Sequence, residues 1–204
     1  MTHTSLRTST TEALKRQHTL YCTMHIYTHL EKTGSFVRIL FIDFSSGFNT
    51  IQPHIMASKL LKLGVNPRLI LWIVNFLVNC SQTVHHQTTL SSSCSISTNS
   101  PQGIVLSPIL FTLYANDCTG TDTTPIIKYS DNSAMEDFSK SDSVCFAEVE
   151  RFSNWCRDNS LDLNVKKTKE MLIDFRKDPT VIPDLLIDGV KVGRVTEYRY
   201  LGTV

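Results

Sequence analysis

Phe36-Val37-Arg38-Ile39-Leu40-Phe41-Ile42-Asp43 is the stretch on which the fold turns. Six of its first seven residues are large and apolar, and three of those are β-branched. A continuous apolar run of this kind, rather than an alternating one, belongs to a strand buried on both faces. The run stops at Asp43. An ionised carboxylate beside a buried strand is costly unless something pairs with it. The stretch therefore predicts a buried strand that ends in an acid needing a partner.

The neighbouring segments read outward from this strand. Pro53 opens a helix that Gly64 closes, and Asn66-Pro67 is an N-cap with proline at the first helical position, starting a helix to about Val78. Residues 82–98 are rich in Ser and Thr and alternate, predicting a strand pair. Ser107-Pro108 repeats the cap-plus-proline signal and predicts a helix to about Asp117. Ile126-Ile-Lys-Tyr-Ser-Asp-Asn-Ser-Ala134 predicts a tight hairpin with Asp131 at its tip. Over 142–158, Cys145, Val149, Phe152 and Cys156 mark one face of an amphipathic helix. Leu161, Leu163 and Val165 alternate, as do Met171, Ile173 and Phe175, so both segments are expected as strands. Ile187-Asp-Gly-Val190 is a hairpin turn, and a last strand is expected at Tyr198, Tyr200 and Leu201. Upstream, residues 12–31 are expected to be helical, with Leu14, Met24, Tyr27 and Leu30 as the apolar face. The order predicts an α+β domain: a mostly antiparallel sheet with helices on one face.

Composition sets the bounds. A 204-residue chain that is 41% hydrophobic and 19% charged has a core to bury. A net charge of +1 argues mildly against a strong non-specific grip on nucleic acid. The six cysteines are scattered without a Cys-x-x-Cys pair, which speaks for reduced thiols and an intracellular setting, cytoplasmic or nuclear. No signal peptide is visible, and the longest apolar run, Leu69–Val78, is about half of a membrane span.

Asp43 and Asp131 are the residues where chemistry would sit. If their strands are neighbours, the two acids face each other, and divalent cations would resolve the repulsion and clamp a phosphoryl transfer. Each acid also reads as an ordinary turn or strand-end residue. His25 and His29 share a helix face at zinc-binding spacing but lack a third ligand. His85 and His86 point to opposite faces of a strand.

Five stretches together carry a resemblance: Phe41-Ile-Asp-Phe-Ser-Ser-Gly-Phe-Asn-Thr50, Ser100-Pro-Gln-Gly-Ile-Val-Leu-Ser-Pro-Ile-Leu-Phe111, Lys128-Tyr-Ser-Asp-Asn132, Leu163-Asn-Val-Lys-Lys-Thr-Lys169 and Tyr198-Arg-Tyr-Leu-Gly202. In this order they resemble the five catalytic motifs of the reverse transcriptases of non-LTR (LINE/jockey-type) retrotransposons. The resemblance implies a polymerase palm, an antiparallel sheet backed by helices with part of the fingers, divided as an N-terminal helical remnant at 1–30 and a palm at 31–204 without a thumb. It implies an RNA-directed DNA polymerase acting on an RNA template, a DNA primer and dNTP, with Mg2+ as cofactor and no membrane.

The resemblance also implies roles. Asp43 and Asp131 would hold two magnesium ions, with the Phe44 carbonyl and Asn132 as further ligands. Phe48 would lie under the sugar of the nucleotide, although a plain core Phe fits as well. Gln102, Gly103 and Tyr129 would approach the substrate, and glycine lets a backbone come close. Lys167 would act as a general acid on pyrophosphate, with Lys166 or Lys169 as alternatives and a solvated lysine loop as the ordinary reading. Tyr200 and Leu201 would lie near the primer end. Three departures stand against the pattern: Asn132 replaces the second acid of the third motif, Gly47 an alanine, and Asn99-Ser100 a Gly-Ala pair. With little room for basic fingers strands, no thumb and no endonuclease, the chain reads as a truncated, partly degenerate copy. Three functions follow: an active polymerase palm, an inactive remnant with weak nucleic-acid binding, and a metal-free interaction domain.

Overall fold

The computed structural model describes residues 17, 19–20, 22–31, 36–45, 47–78, 80–86, 88–96, 106–130, 132–139, 141–174, 176–177 and 181–201. The chain divides into two compact units: residues 1–43, 119–153 and 163–204, and residues 44–118 and 154–162.

The first unit is built on a five-stranded sheet. Its strands are β1 (Phe36–Ile42), β6 (Ile126–Tyr129), β7 (Asn132–Asp137), β8 (Lys169–Asp174) and β11 (Gly193–Val195), in the order β11-β8-β1-β7-β6. All pairs are antiparallel except β11 with β8. β1 lies between β7 and β8, and all seven of its residues are buried, as the apolar run requires. Val37, Ile39 and Phe41 point to one face, where they pack with Ala134, Tyr200 and Cys22. Cys22 belongs to the N-terminal helical segment 22–30, α1.

On the opposite face α5 (Asp142–Asp158) begins beside Arg38 of β1, and its predicted stripe of Cys145, Val149, Phe152 and Cys156 is buried throughout. Helical residues therefore meet the sheet on both faces, because β1 is apolar on both. Arg38, also buried, is held on the α5 side by Asp142 at 2.8 Å and Glu170 at 3.2 Å. The hairpin β9 (Leu186–Ile187) and β10 (Val190–Lys191) turns through Asp188 and Gly189 with φ of 50° and 77°. Positive φ at both central residues makes it the tight turn that Asp-Gly favours.

The second unit holds α2 (Pro53–Lys62), α3 (Pro67–Val78) and α4 (Leu106–Tyr114). Gly64, at φ 73°, terminates α2, and Asn66 Oδ1 caps α3 by accepting the Arg68 N–H at 2.9 Å. Two nested ladders, β2 (Cys80–Gln82) with β5 (Cys94–Ile96) and β3 (His85–His86) with β4 (Thr89–Leu90), replace the single expected strand pair. Buried Tyr114 ties the unit together. Its hydroxyl donates to the Asn159 carbonyl at 2.7 Å, and its own carbonyl accepts from Lys59 Nζ at 2.7 Å.

Four other expectations need correction. α4 begins at Leu106, so Ser107 lies inside the helix, buried, rather than capping it. Residues 161–167 form turns with one isolated bridge at Leu163, because Asn164 draws the following amides into a turn. Tyr198–Leu201 is irregular, with a single bridge at Tyr200 and Leu201 at φ 51°. In α1 the packed residues are Cys22, Ile26 and Leu30, while Met24 and Tyr27 are exposed. Leu14 lies outside the described residues.

Candidate active site

β1 delivers Asp43 to the end of the central strand. Ile42 is the last residue of the β1–β7 ladder and pairs with Ser133, so one step further in the same register Asp43 stands level with Asn132. Asn132 is paired with Tyr129 across the β6–β7 hairpin. Ser130 turns that hairpin at φ 57°, a left-handed conformation that side chains resist. Asp131 lies outside the described residues, as do Gln102 and Gly103. Phe48 is described only in its backbone, within the short helical turn Gly47–Asn49.

The surroundings of Asp43 are cationic on one side and aromatic on the other. Its side chain is about one-third exposed at 38%, yet the Oδ2 atom is shut off from solvent and has no hydrogen-bond partner among the described residues. Lys167 Nζ lies 4.0 Å from that oxygen, on a side chain that is otherwise exposed. Tyr198 stacks on Phe41 with ring centroids 4.1 Å apart. Burial, and then the negative charge of Asp43, push the Tyr198 phenol above its ordinary range. Tyr200 lies deeper, in the core beside Phe41 at 5.4 Å.

A carboxylate oxygen with no donor is the kind of ligand a hard divalent cation takes. Among the described residues no group of three His, Cys, Asp or Glu is assembled to hold a metal. His25, which shares a helix face with His29, has its Nδ1 3.0 Å from the carboxylate of buried Glu136. Phe44 begins the second unit, and its ring meets Phe111 at 5.7 Å. A Cβ added at Gly47 would lie 3.1 Å from the Phe111 ring, so an alanine here would need that ring to give by a few tenths of an ångström.

Two residues that matter here were not singled out by the sequence. Asn164 donates its N–H to the Asp43 carbonyl at 2.9 Å, and Thr168 Oγ1 accepts the Asp43 N–H at 3.3 Å. Both lie in the stretch 163–169, where the lysines drew attention and the short polar side chains did not.

The family model for "Reverse transcriptase (RNA-dependent DNA polymerase)" matches residues 2–204. The chain belongs to the reverse transcriptase family. No curated protein sequence matches it. The fold of this reverse transcriptase domain is similar to that of telomerase from Candida tropicalis. The structure of that enzyme in complex with a TWJ fragment of telomeric RNA superposes with a TM-score of 0.63 at 10% identity, over 93% of this chain and 35% of the telomerase chain. The apo telomerase truncated from its C-terminal domain gives 0.58 at 11% identity, over 91% of this chain and 39% of that one. The apo telomerase gives 0.56 at 13%, over 93% and 38%. The reverse transcriptase domain thus spans between 35% and 39% of the length of these telomerase chains. At such low identity the likeness concerns the fold, an α+β palm and fingers arrangement; the family match is what makes it an RNA-directed DNA polymerase domain.

Proposed function

We propose that this domain is the polymerase palm, with part of the fingers, of a non-LTR (LINE/jockey-type) retrotransposon. It joins dNTPs to the 3′-hydroxyl of a DNA primer on an RNA template, inside the cell in the cytoplasm or nucleus. The observation that carries the reading is Asp43: a carboxylate at the end of the central strand, one oxygen buried without a donor among the described residues, and a lysine 4.0 Å away.

In this reading Asp43 and Asp131, with the Phe44 carbonyl and the Asn132 amide, would hold Mg2+, and the bound metal would supply positive charge to stabilise the phosphoryl transfer. The primer O3′ bonds to the α-phosphorus, the bond to pyrophosphate breaks, and the hydroxyl proton leaves to solvent. Lys167 gives its Nζ proton to the departing pyrophosphate, with Asp43 keeping the ammonium close. Tyr129, Gln102 and Gly103 contact substrate, and Phe48 lies against the sugar.

A second reading, an impaired or inactive palm that binds nucleic acid weakly, has Asn132 behind it. An amide oxygen can coordinate a cation but brings no charge. Extension of oligo(dT) on poly(rA) with Mg2+ separates the readings. Extension that is lost in Asp43→Asn supports an active domain. Extension seen only in Asn132→Asp supports an impaired one. Extension that survives Asp43→Asn would refute both.

A further inference from the structure

We infer that Asn164 and Thr168 form a latch on the Asp43 backbone, and that Thr168 is a positioning residue for the Asp43 carboxylate. The inference rests on the reading of Asp43 as the acid of the site. The two peptide groups flanking the Asp43 Cα are held by one loop: the N–H donates to Thr168 Oγ1 at 3.3 Å, and the carbonyl accepts the Asn164 N–H at 2.9 Å. Thr168 is 0% exposed, so water does not replace its hydroxyl. Fixing the backbone on both sides of one Cα leaves the carboxylate only its two side-chain torsions.

The loop is stiff in its own right. The Asn164 carbonyl accepts the N–H groups of Lys167 at 3.0 Å and Thr168 at 2.8 Å, and its side-chain Oδ1 also accepts from Lys167 N–H at 3.2 Å. Lys169 Nζ donates to the Lys166 carbonyl at 2.7 Å. Immediately after Thr168 the chain enters β8, where Lys169 pairs with Phe41 of β1. Lys167 lies between the two latch residues. The same loop therefore fixes the acid's backbone and carries the ammonium that stands 4.0 Å from its carboxylate.

Threonine is distinguishable from its neighbours in shape and chemistry. Thr168→Ser keeps the acceptor oxygen; Thr168→Val keeps the volume and loses the oxygen. The test uses the full chain and two readouts: amide hydrogen exchange at Asp43, and Mg2+ titration followed by calorimetry. The Ser variant should match wild type. The Val variant should exchange the Asp43 amide about tenfold faster, the effect of losing one hydrogen bond of ordinary strength, and bind Mg2+ severalfold more weakly. Equal exchange in the Ser and Val variants overturns the latch. Faster exchange in the Val variant with unchanged Mg2+ binding, while Asp43→Asn abolishes binding, overturns the positioning role and leaves the polymerase reading intact. A wild-type chain indifferent to Mg2+ overturns the polymerase reading, and the positioning role falls with it.

Discussion

Asp43 is costly where it stands, and the protein meets only part of that cost. Lys167 offers a screened charge at 4.0 Å, while the Oδ2 atom takes no hydrogen bond from the described residues. Glu136 shows how the same sheet treats an acid meant to stay. It is 1% exposed on the α1 face, but His25 Nδ1 lies 3.0 Å from its carboxylate. Burial pushes its carboxyl above the ordinary 4.5, against the opposing pull of His25 and the Cys22 hydrogen bond. The same burial, reinforced by Glu136, pushes the Cys22 thiol up to about 12, so that thiol stays neutral. The folded state thus holds the Glu136 proton more tightly than the unfolded chain does. Its contribution to stability is fully present below 4.5 and is lost as pH rises through the raised folded-state value. Denaturation at a series of pH values should show wild type losing ground to Glu136→Gln as pH increases. A difference that stays constant, or moves the other way, would contradict this.

Among the elements, legibility followed periodicity. The stripe of α5 and the continuous run of β1 were readable because each is apolar at the spacing its geometry demands. In the stretch 161–167, Leu161, Leu163 and Val165 imitate strand alternation without forming a strand. The deciding residue is Asn164, whose carbonyl and side chain gather the amides of Lys167 and Thr168. The buried ions were not legible either. Arg38 inside β1 and Glu170 inside β8 look like solvent-facing interruptions, and only the sheet order reveals that they meet each other and Asp142. α4 makes a testable case of its own. Tyr114 is fully buried, and its hydroxyl serves the Asn159 carbonyl at 2.7 Å. Tyr114→Phe keeps the packing and orphans that carbonyl. Urea unfolding should record a loss of about 1–2 kcal/mol; an unchanged midpoint would show that the bond contributes nothing.

This reverse transcriptase domain has a sheet that can be traced from one apolar run. Asp43, Asn132, Tyr129 and Lys167 lie on or beside strands of one sheet. Asn132 is level with Asp43 by register, so a negative charge placed there by Asn132→Asp would act at close range. Two unit charges 4 Å apart interact by about 4 kcal/mol at an effective dielectric near 20, and even half of that is worth more than a factor of ten in binding. Calorimetric titration of Mg2+ into wild type, Asp43→Asn and Asn132→Asp tests the central claim most directly. The expected order is Asn132→Asp tightest, by about tenfold or more over wild type, and Asp43→Asn without measurable binding. Equal affinities in all three would contradict the claim that Asp43 anchors a metal-dependent polymerase site.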